Sequence, residues 1–138
     1  MIRTGPGRAA LLLGFILVAT APAATEVREG PSPLSALQPG LWVLRDIGDS
    51  RVPPRALCIA DPQVLFQIEH RGSPCSRLVV GKDSRSVTVH YTCPADGFGL
   101  TSILVETPAL AKVDTQGIKD SRPFAYRLEA RRLRGCGR

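Results

Sequence analysis

Four cysteines, Cys58, Cys75, Cys93 and Cys136, all follow an N-terminal segment built like a secretory signal. No other feature of the chain limits its possible folds as much. An exported chain meets an oxidising compartment, where an even set of thiols pairs and ties distant segments together. Arg3 and Arg8 form a positive n-region, and Ala9 to Ala19 is an apolar run of eleven residues. Ala21-Pro22-Ala23 places small residues where a signal peptidase reads them, which predicts residues 1–23 as a signal peptide and Ala24 as the mature start. The alternative is an uncut anchor, but the run is shorter than the roughly 20 apolar residues of a membrane span. No later stretch comes close, so no transmembrane helix is expected in the mature protein. The two arginines are not adjacent, so this is not a twin-arginine signal, and the chain is expected to cross unfolded. No cofactor is expected.

Cleavage leaves 115 residues, enough for one domain. A chain of this size buries about two-thirds of its unfolded surface, and disulfides supplement a modest core. The full chain carries 18 basic and 12 acidic residues, a net charge of +6. Losing Arg3 and Arg8 leaves 16 against 12, or +4. Five arginines fall in the last twelve residues. Of these, Arg127, Arg131, Arg134 and Arg138 are candidate contacts to an anionic envelope surface; a solvated strand face with a frayed tail is the plainer alternative. Nucleic acid is a poor match, because no aromatic residue follows Tyr126 to stack on bases.

Residues 24–38 are rich in proline and glycine and lack periodicity, which predicts a flexible lead-in before a domain at 39–138. Pro39-Gly40 launches a first strand, Leu41 to Leu44, whose Trp42 is expected in the core. Ala56 to Ile59 is a short extended piece. Asp61-Pro62 is an N-cap followed by a residue suited to the first helical position, and Val64, Leu65 and Ile68 share one face of a short helix. Val79-Val80 and Val87 to Tyr91 are β-rich runs about a turn at Gly81 to Arg85. Folding that hairpin about Ser84 sets Cys75 opposite Cys93, Arg77 opposite Tyr91 and Val79 opposite Val89, all on one face. Strand register and cysteine spacing therefore both predict Cys75–Cys93, and Cys58–Cys136 is left by elimination.

Gly97-Phe98-Gly99 reads as a turn or bulge, Leu100 to Glu106 as a strand, and Pro108 as a mark of a sheet edge or bulge. Ala109 to Asp114 is the next strand, with a loop at Gly117. Phe124, Tyr126, Leu128 and Ala130 alternate with Arg127, Glu129 and Arg131 in a final strand with one apolar and one charged face. The expected fold is mainly β: a single antiparallel sheet, a sandwich or a partial barrel of six or seven strands, with one short helix and two disulfides.

Catalytic patterns are sparse. His90 shares a hairpin face with Leu78 and Val80, a setting for a structural rather than a catalytic histidine. There is no G-x-S-x-G elbow, no C-x-x-C and no phosphate-cradling glycine motif. Asp46, Asp49 and Asp61 do not fit a calcium loop. A metal site built from His70 and Cys75 is less favoured than disulfides in an exported chain.

The ordered set Pro39-Gly40-Leu41-Trp42, Cys58, the Cys75 and Cys93 hairpin, Gly97-x-Gly99 and Arg134-Gly135-Cys136 resembles a family of small exported proteins of Gram-negative bacteria catalogued as a domain of unknown function. Glu106-Thr107-Pro108 through Thr115-Gln116-Gly117 resembles its alphaproteobacterial branch. The resemblance spans nearly all of residues 39–136. It implies a periplasmic, β-rich, single-domain protein and supplies no catalytic residues. Pro94 to Gly99 holds fewer polar glycines than the family pattern, and Arg138 extends past the closing cysteine.

The leading functional expectation is a non-enzymatic binding module of the cell envelope, holding a small apolar ligand in a curled sheet or contacting an anionic envelope component. A structural or partner-binding protein without a ligand, using a sheet edge near Pro108, is the second reading. A small hydrolase is the third.

Overall fold

The computed structural model describes residues 31–137. The cleavage site, the start of the lead-in and Arg138 lie outside them. Seven antiparallel strands form one open sheet: β1 (Gly40–Asp46), β2 (Arg55–Ile59), β3 (Ser76–Lys82), β4 (Ser86–Cys93), β5 (Gly97–Thr107), β6 (Leu110–Lys119) and β7 (Arg122–Arg134). Their order is β2-β1-β7-β6-β5-β4-β3. β3 to β7 run as a meander, and β1 docks against β7 with β2 outside it. Of the architectures expected, the single sheet is the one observed.

Period-two alternation sorts the sheet into two faces. The inner face carries Trp42 and Leu44 of β1, Val87 and Val89 of β4, Ile103 and Val105 of β5, Val113 of β6, and Leu128 and Ala130 of β7, all buried. The indole N–H of Trp42 donates to the Gln38 carbonyl at 3.1 Å, so the burial of Trp42 leaves no polar orphan. Thr101 and Thr115 share a 2.7 Å hydrogen bond inside the same layer.

Two short 3-10 turns cover this face, Pro33–Ala36 and Pro62–Gln67. The first falls in the lead-in expected to be flexible. Leu34 and Leu37 join the core there, so ordered structure begins before residue 39. The second replaces the expected helix. Asp61 caps it by accepting from the Gln63 N–H at 2.9 Å, and Pro62 opens it, as the sequence implied. It spans six residues and then must double back to β3, too short for stable α-helical propagation.

One further expectation is narrowed and one is corrected. Of the edge or bulge expected at Pro108, the bulge is found: the β5–β6 pairing shifts between Val105 and Thr107, and Pro108 follows in the hairpin tip between two strands inside the sheet, whose edges are β2 and β3. Gly97, Gly99 and Gly117 sit within strands rather than in a turn or loop. Gly99 pairs with Tyr91, and any side chain there would strike the phenol ring. Gly97 has φ 123°, where only glycine is relaxed, and packs against the Ile118 carbonyl. Gly99 thus makes room for the Tyr91 ring, and Gly117 for the Phe98 carbonyl and the Phe124 ring.

Both disulfides form as expected, Cys75–Cys93 and Cys58–Cys136. The hairpin register also matches: Arg77 faces Tyr91 and Val79 faces Val89, and a shift between Val79 and Gly81 absorbs one residue before the turn. Disulfides of this kind fit a compartment outside the reducing cytoplasm. Among the described residues no helix is long and apolar enough to cross a membrane.

Candidate functional site

The segment from Gln67 to Arg77 connects the two outer strands of the sheet and builds a dense polar network. Gln67 is buried, and all of its amide capacity is used. Its NH2 donates to the carbonyls of His70 and Ser73 at 3.1 Å each, and its oxygen accepts from Arg77 at 3.0 and 2.6 Å. His70, also buried, bridges the Tyr91 hydroxyl at 3.1 Å and the Asp96 carbonyl at 3.2 Å. The carbonyl can only accept, so Nε2 donates to it and Nδ1 accepts from the phenol. Ser73 donates to the Asp96 carboxylate. Glu69 receives the Tyr126 hydroxyl at 2.7 Å, and its backbone carbonyl receives Lys119 Nζ at 2.5 Å.

Both phenols hold their protons more tightly than usual. Tyr91 is pushed up to about 12, first by burial and then by the negative charge of Glu69. Tyr126 is pushed up further, by burial first and then by the hydrogen bond it donates to Glu69. Each therefore serves as a hydrogen-bond donor across the neutral range.

Against this segment lies a cleft of about 570 Å³, bordered by Arg55 and Leu57 of β2, by Ile68, Glu69 and Arg71, and by Lys119 of β6. Three cations and one carboxylate line it, a local balance of +2. Arg55 lies 3.7 Å from the Glu69 carboxylate and 5.8 Å above the Tyr126 ring, and half of its side chain stays exposed. Lys119 spends one donor on a backbone carbonyl, which leaves its charge without a carboxylate partner there. Two guanidinium forks and an ammonium facing one opening suit a carboxylate or phosphate, which guanidinium binds through two parallel hydrogen bonds.

The candidate residues read from the sequence are placed differently. Arg127 and Arg131 do share the outer face of β7, but Glu129 stands between them and pairs with Arg131 at 3.2 Å. Arg127 lies opposite Asp114 of β6. Arg134 lies opposite Leu41 at the strand end, past a register shift in the β1–β7 pairing. The tail arginines are thus dispersed, whereas Arg55, Arg71 and Lys119 converge. Sequence reasoning missed that convergence, because the three residues come from separate elements and no spacing joins them. His90 lies opposite Leu78, with its ring 6.1 Å from that of Phe98. Asp46 and Asp49 accept backbone N–H groups of their own turn, and Cys75 is paired in its disulfide. The inner face of the sheet is filled by the core side chains themselves. Compared with protein-family models, curated proteins and solved structures, the chain matches none.

Proposed function

We propose that this protein is a non-enzymatic binding module of the cell envelope that holds a small anionic ligand in the cleft formed by Arg55, Arg71 and Lys119. The observation that carries this reading is the convergence of three cations on one opening beside a single carboxylate. The surrounding network supports it. Glu69 and Lys119 are fixed by the Tyr126 hydroxyl and by a backbone carbonyl, so much of the cleft is organised before a ligand arrives, which lowers the entropic cost of capture. The histidines support a binding role over hydrolysis: both ring nitrogens of His70 are occupied, and His90 packs beside Phe98. The signal-like N-terminus and the two disulfides support a periplasmic location, which N-terminal sequencing from Ala24 in the periplasmic fraction would establish.

Calorimetric titration with inorganic phosphate and with citrate tests the site. Saturable binding is expected, weakened by rising salt and reduced about tenfold or more in Arg71→Glu, as loss of a charge-assisted pair requires. Heat that is unchanged in Arg71→Glu and Lys119→Gln would remove the cleft reading. A hydrolysis screen over esters, amides and phosphoesters is expected to find no activity that His90→Ala abolishes.

A further inference from the structure

We propose that the free edge of β3 accepts an extended, acidic segment of a partner protein as an eighth strand. β3 is the outermost strand on its side of the sheet, and all seven of its residues are exposed. Three consecutive apolar residues lie along it: Leu78 is 64% exposed, Val79 51% and Val80 54%. An open strand edge offers a row of backbone N–H and C=O groups to an incoming strand. The usual protections are weak here. No proline interrupts β3, and its irregularity falls between Val79 and Gly81, beside the turn, so Ser76 to Val79 remains regular.

The side chains specify what would add. On the outer face Leu78 continues an apolar row through His90 and Leu100, with Phe98, 46% exposed, beside it. An apolar residue of the partner strand would extend that row. On the inner side Arg77 is exposed, and its guanidinium is held by the neutral oxygens of Gln67 and Gln63 at 2.6 to 3.0 Å. It is oriented without being neutralised by those contacts. A carboxylate on the added strand would meet it in a charge-assisted hydrogen bond. Charge also decides between occupants. A second copy would bring another positively charged chain, +4 after the expected cleavage, whereas an acidic segment is attracted. Cys75–Cys93 pins the base of β3 to β4, so the edge is rigid before binding.

The test uses an array of labelled heptapeptides that alternate Val, Ile or Phe with Glu, read by fluorescence anisotropy against the full domain. Saturable binding is expected for members of the array. N-methylation of alternate peptide amides should abolish it, because strand addition depends on those donors. Replacing Glu by Lys in the peptide should weaken it about tenfold, and Arg77→Glu in the protein should reverse the preference. Leu78→Glu, a substitution at an exposed position, is the second variant, and it should weaken binding while circular dichroism stays unchanged. The proposal fails if no member binds saturably, or if binding ignores N-methylation or both protein variants. A dimer that forms without peptide and dissolves in Leu78→Glu would assign the edge to a second copy instead.

Discussion

The two edges of the sheet use one device for different ends. β2 and β3 are both terminal strands, and each is pinned by a disulfide. At β3, Cys75 is tied to Cys93 in the neighbouring strand, 18 residues away, so the bond reinforces a hairpin that is already paired. At β2, Cys58 is tied to Cys136, 78 residues away, so the bond joins the domain's second strand to the chain beyond its last. The side chains differ as well. β2 buries Ile59 and sets Arg55 at a cleft, whereas β3 exposes every residue. The β2 edge therefore borders a cleft and sends Ile59 into the core, and the β3 edge is an open margin along its whole length. A disulfide at an edge does not by itself mean that the edge is sealed.

The largest expected effect separates the two bonds. In the chain-entropy description, cross-links closing loops of these lengths stabilise by about 4.5 kcal/mol for Cys58–Cys136 and about 3.2 kcal/mol for Cys75–Cys93. Denaturant unfolding of the Cys58→Ser/Cys136→Ser and Cys75→Ser/Cys93→Ser variants should rank them in that order. The reverse order would mean that β3 depends on its staple more than its exposed surface suggests.

The next effect is a deletion in the β2 wall. Ile59 is 1% exposed and belongs to the main core cluster. Ile59→Ala should cost about 2–5 kcal/mol, the range for truncating a buried aliphatic side chain. A cost below 1 kcal/mol on the same denaturant curves would show that β2 relaxes into the space, and the contrast between the edges would lose its packing basis.

Much of this contrast was legible in the sequence, and the unreadable part has a physical cause. The hairpin from Cys75 to Cys93 could be read because strand alternation and cysteine spacing both depend on one fold point, so each checks the other. The last strand could be read because Leu128 and Ala130 alternate cleanly with Arg127, Glu129 and Arg131. Gly97, Gly99 and Gly117 misled, because a glycine that makes room for Tyr91 or Phe124 looks in one dimension like a glycine that turns the chain. Pro108 was half legible: it signals disturbed pairing, and the shift between Val105 and Thr107 lies beside it, but a hairpin tip and a sheet edge look alike in one dimension. The dense arginines of the tail drew attention that alternation then divided between two faces. The cleft was invisible, since Arg55, Arg71 and Lys119 meet only after β2 and β6 have been placed around the segment that follows Gln67.

That segment joins the two edges, and the two tyrosines bonded to it report on it. Tyr91 bonds His70 on the β3 side, and Tyr126 bonds Glu69 beneath Arg55 on the β2 side. The chain has two tyrosines, and both have raised folded values. A raised folded value means that the native state binds the phenolic proton more tightly than the unfolded chain. The resulting stability is complete below the ordinary value of 10 and is lost as pH rises through the folded values, about 12 for Tyr91 and higher for Tyr126. Absorbance of the native protein near 295 nm should therefore stay flat through pH 10, where the unfolded chain titrates, and rise only as the fold opens. Phenolate appearing at pH 10 in the folded protein would show that one of the two hydroxyls is open to solvent and that the connecting segment seals only one edge.

The smallest effect is expected at the margin itself. Leu78 is a large apolar residue near the middle of β3, and in most strands its loss would empty part of a core. Here it is 64% exposed and lies opposite His90 on the outer face. Leu78→Ala leaves no cavity, because solvent already covers most of the side chain, and the change should stay within about 0.5 kcal/mol, as for other surface positions. Paired with Ile59→Ala, this measures the two edges on one scale, since both replace a branched aliphatic residue by alanine in a terminal strand. If Leu78→Ala costs as much as Ile59→Ala in the isolated protein, something already covers β3 in solution. Repeating the unfolding at several protein concentrations would then identify the cover: a cost that falls on dilution comes from a second copy, and a constant cost comes from the chain's own residues.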